Sequence, residues 1–125
     1  MTALTTYAPL VARIFIAVLF LVAGACKLAD PVGFTGYLAS GGLPTFLAWP
    51  SILFEIALGL ALVAGFQVRI FGLLGAGFCI LAAVLYHFHP ADQIQMTMFL
   101  KNFAIAGGLL LLAAHGAGRY AVDKA

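Results

Sequence analysis

Four times along this chain, about twenty consecutive residues pass with at most two formal charges, which is the length a helix needs to cross a bilayer's hydrocarbon core. The runs are residues 9–28, 46–66, 70–88 and 96–115. Of the 125 residues, 65% are hydrophobic and 8% charged, and the mean hydropathy is +1.15. A soluble domain carries about 25% charged residues to cover its water-facing surface. So few charges cannot cover this one, so the lipid bilayer must be part of its solvent. The expected architecture is all-α: one domain over 1–125, an integral membrane four-helix bundle. The net charge of +2 comes from so few groups that it points to no nucleic-acid partner.

The breaks between runs have a mechanism. Residues 29–45 hold Asp30, Pro31, Gly41, Gly42 and Pro44 and are expected to form a long loop. Residues 67–69 form a minimal connection, and 89–95 contain Pro90 and Asp92. Gly, Pro and Asp are turn formers. Pro50 falls near the start of the second run, where proline is tolerated. No Lys or Arg precedes the first run, unlike the n-region of a cleaved signal, so it reads as a span.

Orientation follows from the basic residues. Arg13, Arg69, Arg119 and Lys124 fall on the side of the termini and second connection; Lys27 and Lys101 fall on the other. Loops retained in the cytoplasm carry the excess of Lys and Arg, so both termini are expected inside. Trp49 and Tyr86 then lie near the outer interface, where amphipathic aromatics are favoured.

Helical spacing sorts each run into faces. Arg13, Ala17, Phe20, Gly24 and Lys27 share one stripe; Glu55, Gly59 and Leu62 a second. Arg69, Ala76, Ala83 and His87 form a third, and Thr97, Lys101, Ala104, Gly108 and His115 a fourth. Small residues allow helices to approach closely in lipid, so these faces are expected to point inward. Glu55 is the most informative residue, because an unpaired carboxylate at mid-span is very costly. By depth, Lys101 is the first expected partner and Arg13 the second, while Lys27 is expected to extend toward the surface. Asn102, beside Lys101, could donate into a polar pocket. The candidate pocket is therefore Arg13, Lys27, Glu55, Lys101 and Asn102.

Cys26 and Cys79 lie in apolar runs without ligand spacing. They read as packing residues that do not bridge, their depths being mismatched for a disulfide. His87 and His89 straddle the interface without a third ligand, and His115 reads as interfacial, so no metal site is expected. No Walker motif, dinucleotide fingerprint, HExxH or nucleophile elbow is present.

Together these residues resemble the DoxX family of bacterial inner-membrane proteins. The elements are Arg13 early in the first run, Gly-Ala-Cys-Lys-Leu at 24–28, and Glu55-x3-Gly59 leading through Gly65 to Arg69. The tail at 116–123 is similar to the family's Gly-x-Gly-x-x-(Ser)-(Leu)-Asp ending, with Ala121 and Val122 in place of Ser-Leu. The resemblance implies a four-helix inner-membrane protein tied to redox chemistry, since one relative is a membrane subunit of a thiosulfate:quinone oxidoreductase and others are linked to oxidative-stress complexes. It supplies no agreed catalytic set. The leading expectation is an accessory subunit with a quinone- or lipid-sized pocket, quinone being the one cofactor in view. Its partners would be a redox protein or a larger membrane complex, with oligomerisation open. The alternatives are a small proton-coupled transporter and a purely structural subunit.

Overall fold

The computed structural model describes residues 2–123. Four of its helical segments are long and apolar enough to cross a membrane: Ala3–Ala29, Thr45–Ala64, Val68–His87 and Gln93–His115. The chain is an all-α membrane four-helix bundle.

Helix α1 (Ala3–Ala29) starts where the Thr2 hydroxyl accepts the Thr5 amide at 3.2 Å. The stretch expected to be a loop instead contains a second helix, α2 (Pro31–Ser40). The physical reason lies in the same two residues that mark the break. Asp30 accepts the Gly33 amide at 3.0 Å and Pro31 occupies the first helical position. Asp at the N-cap and Pro at N1 end one helix but also begin another. A 3₁₀ turn (Thr45–Leu47) leads into α3 (Ala48–Ala64), with Pro50 in its first turn. Helix α4 (Val68–Ala82) continues into a single π-helical turn (Ala83–His87), and α5 (Gln93–His115) is capped by Asp92.

Helix α1 lies against α3 and α4 against α5, and the two pairs meet through α3–α4 and α1–α5. Ala17, Phe20, Leu58, Leu62, Ala76, Cys79 and Leu109 form the central core. A second cluster of Phe34, Leu38, Ala48 and Ile52 joins α2 to the start of α3.

The stripes assigned to α1 and α3 point inward: Arg13, Ala17, Phe20 and Gly24 are buried, as are Glu55, Gly59 and Leu62. Ala76 of α4 and Ala83 of the π turn are buried while Arg69 is exposed. The α5 assignment is overturned. Thr97, Lys101, Ala104 and His115 are exposed, and the helix buries Ala106, Leu109, Leu112 and Ala113 instead. The closest approach in this pair is made by its partner: a Cβ on Gly72 would stand 2.8 Å from the Leu109 carbonyl oxygen. Because α4 supplies the close approach, α5 can turn bulky Leu109 into the interface.

The tail after α5 folds back across the end of the bundle that carries both termini. The Val122 and Asp123 amides donate to the carbonyls of Ala64 and Gly65, each at 2.9 Å. The Asp123 carboxylate accepts the amides of Gln67 (2.6 Å) and Val68 (2.8 Å), capping α4. Gly65 adopts φ +72°, a left-handed conformation open to glycine, and Ala121 sits where a Cβ would project.

Candidate functional site

Toward the α2 end, a cavity of about 530 Å³ opens between the helix pairs. Its walls are mostly Leu and Phe, including Leu19, Phe20, Phe78 and Leu85, and its polar groups include Lys27, Glu55, Tyr86, Lys101 and Asn102.

Glu55 is 1% exposed and is ion-paired with Lys27. This corrects the expected pairing with Lys101 or Arg13. Lys27 lies one turn beyond buried Gly24 on the face that α1 presents to α3, so its flexible stem reaches down to the carboxylate. A stem long enough to extend to the surface is long enough to bend inward. The Lys27 ammonium also stands 4.8 Å from the centroid of the Phe34 ring, contributed by α2. Lys101 instead projects from the exposed face of α5 at the cavity's edge. Asn102 lines the same cavity and donates to the Met98 carbonyl at 2.9 Å.

Arg13 does not belong to this cluster. It is 0% exposed and lies toward the terminal end of the bundle. Its Nη1 donates to the carbonyls of Leu62 (2.9 Å) and Val63 (3.3 Å), and its Nη2 donates to that of Tyr120. Its Nε is buried with no hydrogen-bond partner among the described residues. The cation faces the C-terminal carbonyls of α3, the negative end of that helix. Arg69 does the same for α5, donating to the carbonyls of Ala113 (3.1 Å), Ala114 (2.6 Å) and His115 (3.3 Å). Each arginine thus caps a neighbouring helix.

Sequence reasoning missed the role of the π turn. Such turns are frequent at functional sites, and this one brings Tyr86 and His87 to the cavity. The Tyr86 hydroxyl donates to the Leu38 carbonyl at 2.8 Å, tying α4 to α2. His87 Nδ1 is 2.8 Å from Gln95 Oε1. Pro90, just beyond, signalled that the helix ends here, but not that its last turn widens. Among the described residues, no three His, Cys, Asp or Glu side chains gather as a metal site. Cys26 is exposed, Cys79 is buried, and both are free.

A larger cleft of about 960 Å³ lies at the terminal end, lined by Arg69, His115, Arg119 and Asp123 among others. Arg69 and Asp123 are already engaged with helix ends. The smaller cavity is the better candidate, since it combines apolar walls with convergent polar groups in the bundle interior.

The sequence model of the family described as DoxX matches residues 8–88. Among curated proteins, the inner membrane protein YqjF of Escherichia coli K12 is 42% identical over 115 residues, covering 92% of this chain and 88% of that protein. The inner membrane protein YphA of the same organism is 31% identical over 122 residues, covering 92% and 87%. No solved structure matches.

Proposed function

Because this chain belongs to the DoxX family, we propose that it is a bacterial inner-membrane accessory subunit of a redox system, holding a quinone- or lipid-sized ligand in the cavity beside Lys27 and Glu55. The observation that carries the reading is that cavity: apolar walls from both helix pairs surround the ion pair of buried Glu55 and half-buried Lys27. Its volume falls within the roughly 300–1,000 Å³ of typical small-molecule sites. The residues present suit a quinone. Lys27 and Lys101 can donate to its carbonyls, Glu55 can accept from a hydroxyl of its reduced form, and the Leu and Phe walls match ring and tail. When bound, a quinone would supply the electron carrier; the chain's own part is to bind, orient and exclude water. Neutralisation of Glu55 by Lys27 disfavours a site for a transported cation.

Purification of the full chain in mild detergent, followed by mass spectrometry of co-eluting small molecules and proteins, tests this. The expected result is a quinone or lipid retained by wild type and lost from Ala82→Phe, which places a ring in the cavity wall. Identical small molecules on wild type and Ala82→Phe would sink the proposal.

The proposed orientation places both termini in the cytoplasm, resting on four basic residues against two. Of these, Lys124 lies outside the described residues. A reporter fused after Ala125 should be active in the cytoplasm, and one inserted near Gly41 active in the periplasm. The reverse pattern at either site would refute the topology.

A further inference from the structure

We propose that the cavity's ligand carries an acidic head on a single apolar chain, with the head at Lys101. This rests on the reading of the cavity as a ligand site and names the class of ligand. The argument is one of charge balance. The chain has four acidic residues, and all four are committed. Glu55 pairs with Lys27. Asp30, Asp92 and Asp123 accept backbone amides at helix starts.

The cavity is lined by Lys27, Glu55 and Lys101, which leaves one positive charge unbalanced. Among the described residues, Lys101 has no hydrogen-bond or ion-pair partner. It lies eight residues into α5, about 12 Å along the axis at 1.5 Å per residue, within a segment long and apolar enough to span a membrane. Its side chain is exposed at the cavity's edge, so its ammonium stands where the head of an entering ligand can pair with it. Among the described residues none of the four carboxylates pairs with Lys101, so an anion that answers it comes from outside the chain.

The cavity's contents fit that anion to a chain. Phe20, Phe78, Leu81 and Ile105 line the apolar part of this cavity of about 530 Å³, and a single apolar chain is the tail proposed to fill it. A carboxylate or a phosphate monoester head would serve equally, each accepting charge-assisted hydrogen bonds from the ammonium.

The test uses the full chain in phosphatidylcholine nanodiscs, with empty discs subtracted. Retention of labelled oleate, oleoyl lysophosphatidate, neutral oleyl alcohol and a short-chain ubiquinone is compared. At least one acidic probe should bind with a Kd about tenfold below that of the alcohol, the equivalent of roughly one charge-assisted hydrogen bond. Lys101→Gln should erase the preference and Lys101→Arg should keep it. Whichever acid is favoured identifies a carboxylate or a phosphate head. Equal binding of acid and alcohol, or a preference that survives Lys101→Gln, overturns the proposal. If ubiquinone binds without any acid preference, this inference fails while the ligand-cavity reading stands. If no probe binds above empty discs, both fail.

Discussion

Glu55→Gln should destabilise the bundle by about 2 kcal/mol, because it leaves the half-buried Lys27 ammonium without its carboxylate. Adding Lys27→Met should recover more than half of that loss, since the double variant no longer buries a lone ammonium. Adding Lys101→Gln instead should recover nothing, because Lys101 does not reach the carboxylate and the two effects should add to within about 0.5 kcal/mol. Unfolding of the three variants in detergent reads out all of this. Coupling of Glu55 to Lys101 rather than to Lys27 would place the carboxylate in a different pair from the one seen here.

Deleting everything after His115 should be at least as damaging, at about 3 kcal/mol or more. The deletion removes the Tyr120 carbonyl from the buried Arg13 guanidinium, whose remaining acceptors lie on α3. It also removes the Asp123 cap from α4 and two amide donors from the end of α3. Asp123→Ala alone should lose about 1–2 kcal/mol with the acceptors of both amides at the start of α4, and Asp123→Asn should lose part of that, because it keeps one acceptor oxygen but turns an NH2 donor toward the other N–H. A truncated chain that unfolds at the wild-type denaturant concentration would show that the tail merely rests on the bundle.

The bundle and two of its four inward faces were legible because burial in lipid leaves a direct imprint on sequence: apolar runs of spanning length, with small residues on the packed side. Ala17, Gly24 and Gly59 illustrate it. The fourth face was misread for a reason internal to helix pairs. Close approach needs a small residue on only one partner, and Gly72 on α4 already provides it. Helix α2 was hidden because Asp30 and Pro31 signal an end and a beginning in the same letters. The partner of Glu55 was ranked by depth and shared small-residue faces, which ignores that α1 packs on α3 while α5 packs on α4. Arg13 was placed second as a partner of Glu55; its actual acceptors, a set of carbonyls, depend on how α3 ends and where the tail returns, neither of which a helical wheel contains.

The Arg13–Tyr120 contact joins the two extremes of the chain, and this orders events during synthesis. A ribosome releases α1 into the membrane long before Tyr120 exists. In the interval Arg13 is an incompletely satisfied guanidinium in an apolar span, first offered carbonyls when α3 emerges and its last acceptor only when Tyr120 follows α5 out of the tunnel. Closure of this end of the bundle therefore waits on the segment around Tyr120, and until that segment is made Arg13 keeps an unfilled donor inside an apolar span.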